Sequence, residues 1–82
     1  MSFYNYAKAV KNLLEEMVQA EINFYVVPIK ETYVINMNFY NVKRYVSFSL
    51  LPFYMEGVYP IVAAKAISEK AVKEIVNACL KH

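Results

Sequence analysis

The sequence predicts an α+β fold of two layers, and three observations carry the prediction. Apolar residues recur at three-four spacing near the N-terminus, alternate with polar ones from Ile22 to Leu50, and return to three-four spacing near the C-terminus. The predicted order is α-β-β-β-β-α, a four-stranded antiparallel meander with both terminal helices on one face.

In the first segment Phe3, Tyr6, Ala7, Val10, Leu13, Leu14, Met17 and Val18 form one stripe of a helix, opposite Lys8, Lys11, Asn12, Glu15, Glu16 and Gln19. Ser2 stands where a side-chain oxygen can accept from a free amide of the first turn.

Ile22 to Val27 reads as the first strand, ended by Pro28, which has no N–H to give to a ladder. Thr32 to Phe39 alternates most cleanly, with Tyr33, Ile35, Met37 and Phe39 against Thr32, Val34, Asn36 and Asn38. A turn at Ile29-Lys30 sets Ile22 against Met37, Phe24 against Ile35 and Val26 against Tyr33. A second turn at Tyr40-Asn41 sets Phe39 against Val42, Ile35 against Val46 and Tyr33 against Phe48. All these apolar side chains then share one face. A slip of one residue would turn a whole strand's set outward, so the shared parity supports the pairing.

Beyond Leu50, Gly57 suits a turn with positive φ, and Val58 to Ala64 is expected to return as a fourth strand, kept to the edge by Pro60. The alternative is three strands followed by one long C-terminal helix from Pro60, because proline fits the first helical position. In the four-stranded reading Ser68 caps a fresh helix and Ile67 and Val72 staple it. That helix runs from about Glu69 to Leu80 and buries Ala71, Val72, Ile75, Val76 and Cys79.

The length allows one domain over residues 1–82, and so short a chain buries only roughly 60–65% of its unfolded surface. Its 59% apolar and 16% aromatic residues exceed the ~45–50% apolar share of ordinary globular chains. The surplus predicts an interface and a homo-oligomer, most simply a dimer. Nine basic residues against seven glutamates, interspersed, leave a formal charge of +2 and no dense basic stripe of the kind duplex DNA requires. The single cysteine, Cys79, excludes an internal disulfide and fits a reducing compartment. The uncharged run from Tyr45 to Met55 is too short to cross a bilayer, and Met1 to Ala7 lacks a secretory pattern. An intracellular, cytoplasmic protein without membrane attachment is expected. Ile, Val, Tyr, Lys and Glu alongside one Thr and one Gln lean toward a thermophile, against which stand seven asparagines.

Most catalytic chemistry is disfavoured by what the chain lacks. Phosphate-cradling loops need several glycines, and there is one. The single histidine is the terminal His82 and Cys79 is placed on a helical stripe, so no nucleophile–base pair is expected. His and Cys are too few for a metal cluster, and Glu15 and Glu16 diverge by about 100° on their helix. The chain is expected to be no enzyme and to hold no cofactor or metal.

What remains is the outer sheet face, which gathers Asn23, Tyr25, Val34, Asn36, Asn38, Lys43 and Tyr45. The register above puts Tyr25 beside Val34 and Ser47, Asn23 beside Asn36 and Tyr45, Asn38 beside Lys43, and Val27 beside Thr32 and Ser49. Tyrosines among amides and hydroxyls suit a protein interface, because they make large contacts at small entropic loss. The alternative is a single-stranded nucleic acid, stacked on Tyr25 and Tyr45, read by Asn36 and Asn38 and held by Lys43. A third reading has no function in it: Tyr, Thr and Val favour strands and tolerate water. Arg44, the one arginine, is expected on the helix-covered face opposite Met37, where it needs Glu15, Glu16 or Glu21 as a salt-bridge partner or else forms an anion site. The chain thus reads as a small non-enzymatic, homodimeric interaction module that binds a protein partner through the outer sheet face or the last helix.

Overall fold

A computed structural model describes residues 1–81. Helix α1 (Phe3–Met17) leads into β1 (Glu21–Val27), β2 (Thr32–Phe39) and β3 (Arg44–Ser49), and a short helix α2 (Leu51–Met55) precedes the long α3 (Pro60–Leu80). The strands form one antiparallel sheet in the order β1-β2-β3. The architecture is therefore α+β with three strands. The fourth strand expected over Val58–Ala64 is absent, and the alternative of a long helix from Pro60 is the one observed.

The reason is local. Gly57 adopts φ 69° and ends α2: its amide donates to Tyr54 O at 3.2 Å, and the Val58 amide donates to Phe53 O at 3.1 Å. This paired closure is how helices commonly stop at glycine, and it leaves no hairpin for a returning strand. Pro60 then occupies the first turn of α3, where its missing N–H is no loss. Five alanines between Ala63 and Ala78 favour the helix, and three of them, Ala63, Ala64 and Ala71, are fully buried. Ser68 lies inside α3 rather than capping a new helix, and its hydroxyl donates back to Lys65 O at 2.8 Å.

α1 starts as its sequence suggests, with the Ser2 hydroxyl accepting from the Asn5 amide at 3.1 Å. It lies over β1 and β2 and alongside α3, which covers β3. The core between the layers comprises Tyr6, Ala7, Val10 and Leu14 from α1, Ile22, Ile35 and Met37 from the sheet, Leu50, and Ala63, Ala64, Ile67 and Ala71 from α3. At one end Phe3 stacks on Tyr54 with centroids 4.3 Å apart and meets Tyr33 edge-on at 5.0 Å, which fastens α2 to the start of α1. Tyr6 donates to Val58 O at 2.6 Å and so ties α1 to the entry of α3.

The first hairpin has the expected register, with Ile22, Phe24 and Val26 opposite Met37, Ile35 and Tyr33. The second is displaced by two residues: Phe39 faces Arg44, Met37 faces Val46 and Ile35 faces Phe48. A shift of two keeps every side chain on its face, so the apolar pattern cannot detect it. The cause is the loop. Both hairpins close through a single short 3₁₀ turn followed by one left-handed residue, Pro28–Lys30 with Glu31 (φ 51°) and Tyr40–Val42 with Lys43 (φ 55°). Neither Glu nor Lys announces that conformation, which glycine or asparagine would have signalled.

Candidate functional site

Among the described residues no element covers the second face of the sheet, where Asn23, Tyr25, Tyr45, Ser47 and Ser49 are exposed, and the register arranges its side chains in cross-strand rows. At the centre Asn23, Asn36 and Ser47 lie abreast, and the Ser47 hydroxyl donates to Asn36 Oδ1 at 3.0 Å. On one side of this row are Tyr25, Val34 and Ser49. On the other are Glu21, Asn38 and Tyr45. Tyr25 is 50% exposed and Tyr45 73%.

These rows correct the expected neighbours, because the shift in the second hairpin moves β3 by two residues. Tyr25 and Val34 meet Ser49 instead of Ser47, Asn23 and Asn36 meet Ser47 instead of Tyr45, and Asn38 meets Tyr45 instead of Lys43. Tyr25 and Tyr45 consequently sit at opposite corners, two strands and two rows apart, a separation of roughly 16 Å from strand geometry. Lys43 is not on the face; it is the left-handed residue of the loop that precedes β3. Arg44 opens β3 half-buried and opposite Phe39, not Met37.

One end of the face is closed. Thr32 is only 3% exposed, and its hydroxyl lies 2.8 Å from the Ser49 hydroxyl, donates to Tyr33 O at 3.0 Å and accepts from the Leu51 amide at 3.1 Å. That hydroxyl pair gives the first turn of α2 an acceptor, so Thr32 is structural. The opposite end runs into an open cleft of about 390 Å³ lined by Gln19, Ala20, Glu21, Tyr40 and Asn41. There the Tyr40 phenol is raised above its ordinary value, chiefly by its hydrogen bond to the Glu21 carboxylate, then by desolvation and by that carboxylate's charge. Sequence reasoning assigned Tyr40 to a tight turn and missed this cleft. Extending the first strand by one residue in its expected register, to Glu21 opposite Asn38, would have pointed to it.

The C-terminal segment also departs from expectation. Of the stripe expected to be buried, Ala71 alone is fully enclosed: Val72, Val76 and Cys79 are exposed and Ile75 is half-buried. His82 lies outside the described residues. Among the described residues no three His, Cys or Glu side chains come together as metal ligands, and no helix is long and apolar enough to cross a membrane. Compared with family models, with curated proteins and with solved structures, the chain finds no match.

Proposed function

We propose that the chain is a non-enzymatic binding module whose uncovered sheet face receives a protein partner. The observation that carries this reading is the face itself: two exposed tyrosines flank a row of amides and a hydroxyl on a sheet whose other side is packed. Rigid strands hold these groups in place, so a partner orders few side chains on binding. Tyr25 and Tyr45 supply the apolar contact area. Asn23, Asn36, Asn38 and Ser47 supply hydrogen bonds that adapt to a polypeptide surface.

The corrected register disfavours the nucleic-acid alternative. Successive bases of a single strand stack on aromatics close together, whereas the backbone positions of these two tyrosines are roughly 16 Å apart on edge strands. The one ionisable group that joins the tyrosines and amides in the rows is the carboxylate of Glu21, which repels phosphate. Lys43 lies in the neighbouring loop.

The test is the double variant Tyr25→Ala/Tyr45→Ala, which should leave far-UV circular dichroism unchanged. A protein captured from cell extract by the natural chain and lost from the variant supports the reading. Binding of single-stranded oligonucleotides that falls steeply with salt and vanishes in the variant would replace it with the nucleic-acid alternative. If neither ligand distinguishes the two chains, the face is an exposed sheet surface and nothing more.

A further inference from the structure

Helix α3 carries two apolar stripes. Ala63, Ala64, Ile67 and Ala71 form the first, which is fully buried. The second, turned roughly 160° from it by helical geometry, contains Ile61, Val62, Val72, Val76 and Leu80, exposed by 48, 54, 47, 48 and 77%, with the exposed Lys65 and Glu69 between its two ends. Near its middle Val72 borders a groove that Ser68, Glu69 and Lys73 share with Met17 and Val18 at the end of α1. A 21-residue helix is about 31 Å long and the 15-residue α1 about 22 Å, so α1 cannot flank α3 over its whole length. Val72, Val76 and Leu80 follow at four-residue spacing and leave an exposed apolar patch along the C-terminal half of the helix.

We propose that this stripe is the contact between two copies of the chain, paired antiparallel about a two-fold axis level with Ala71. The proposal is independent of the sheet face, which lies on the far side of the sheet from α3. Its first support is charge complementarity. A two-fold axis perpendicular to the plane of two antiparallel helices keeps each flank of the stripe on its own side. Glu69 within the stripe and Lys73 at its edge lie one turn apart on the same side of its midline, and both are exposed. With the axis at Ala71, Glu69 comes level with Lys73 of the partner subunit and Lys73 with Glu69 of the partner subunit. Two ion pairs form reciprocally.

The same axis satisfies the apolar residues. Val62 comes level with Leu80 of the partner subunit, and Leu80 with Val62 of the partner subunit. The two Val72 side chains meet across the axis, offset along it by about 3 Å at 1.5 Å per residue. The small Ser68 lies beside this contact, and Val76 of the partner subunit comes level between Ser68 and Lys65, whose alkyl stem can cover it while the ammonium stays in water. Each C-terminal half of α3 then lies along the N-terminal half of the other, in the direction of the groove beside Met17 and Val18. Two such stripes face to face remove on the order of 1,000 Å² from water, the lower limit for a specific interface.

The experiment uses the intact chain and reads its mass by light scattering over a concentration series into the tens of micromolar. About twice the chain mass of 9.5 kDa is expected at the upper end. Val72→Glu, or separately Val76→Glu, should return it to the monomer with unchanged circular dichroism. E69K or K73E alone should weaken association several-fold, and the two together should restore it, because the reciprocal pairs re-form with signs exchanged. Val72→Cys in a Cys79→Ser background should cross-link two copies on oxidation. The natural Cys79 should not, since its two copies would stand about 24 Å apart along the helices, far beyond the ~7 Å a disulfide can bridge. A monomer at every concentration, a dimer indifferent to both glutamate variants, a charge exchange that fails to restore association, or ready cross-linking through Cys79 would each overturn the proposal.

Discussion

The strands and α3 dispose of their apolar residues in opposite ways. Each strand sorts them by parity, so that Ile22, Ile35 and Met37 are buried while their outer neighbours Asn23, Asn36 and Asn38 are polar. α3 sorts them less: one stripe enters the core, a second stays in water, and charges fill the gaps. A two-residue period leaves only two faces to choose between. A helix offers a full circle, on which several apolar stripes fit before charge excludes them. Clean alternation therefore identifies a core face directly, whereas a helix rich in Ala, Val and Ile reveals its burial only once its neighbours are placed.

The largest expected effect tests the sheet side of this contrast. Ile35 is fully buried at the centre of the inner face, opposite Phe24 and Phe48, and Ile35→Ala should destabilise the chain by about 2–5 kcal/mol. Val34, its neighbour in sequence, points to the outer face, and Val34→Ala should be several-fold milder. Urea unfolding of the two variants below the micromolar range measures both. Equal losses would mean that the two faces are not energetically distinct.

That parity made three strands, the first hairpin's register and most of the inner face legible from residue order alone, although Val42, expected on that face opposite Phe39, lies exposed in the second loop. It also hid the error in the second hairpin, because a two-residue displacement preserves parity and nothing in the residue types marks Lys43 as the left-handed end of the loop. The candidate face survived this error in composition but not in arrangement. Tyr25, Asn23, Asn36 and Asn38 stayed on it, while Tyr45 moved to a far corner and Lys43 left it. In α3 the misreading arose at Gly57 and Ser68. A lone glycine serves a helix end as readily as a hairpin, and a serine inside a helix can bond back to a carbonyl three residues earlier. Nothing in the order of residues distinguishes a stripe buried within one chain from a stripe left for another.

A smaller effect joins the two regions. Tyr6 is 4% exposed, and its hydroxyl holds Val58 O at the threshold of α3. Tyr6→Phe should cost about 1 kcal/mol, the usual net worth of one hydrogen bond, plus a contribution from the carbonyl left short of a donor. Burial raises the Tyr6 phenol above its unfolded value of 10.0, so the folded chain holds this proton more tightly than the unfolded one. The stabilisation is fully present below pH 10 and is lost as pH rises from there through the folded value. Alkaline unfolding of the natural chain should therefore steepen above pH 10. Tyr6→Phe should flatten part of that slope and leave the part due to Tyr40, which is raised as well.

The smallest effect on the single chain should come from the second stripe of α3. Val76 is 48% exposed, and its substitution by serine should change the stability of dilute, monomeric chain by no more than about 0.5 kcal/mol, as surface changes usually do. Ile67→Ala, on the buried stripe of the same helix, should cost several times more. The informative quantity is how each variant responds to concentration. If a second copy covers Val76, association stabilises the folded state by mass action, and the natural chain's unfolding midpoint should climb as protein is added. Val76→Ser should lose that climb while matching the natural chain at high dilution. Ile67→Ala should be less stable at every dilution, and it should still climb wherever its fold persists. The two stripes would then differ in kind: one holds the chain to itself, the other holds it to its copy. A natural chain whose midpoint ignores concentration would leave the exposed stripe as surface, and α3 would differ from the strands only in how loosely it sorts its residues.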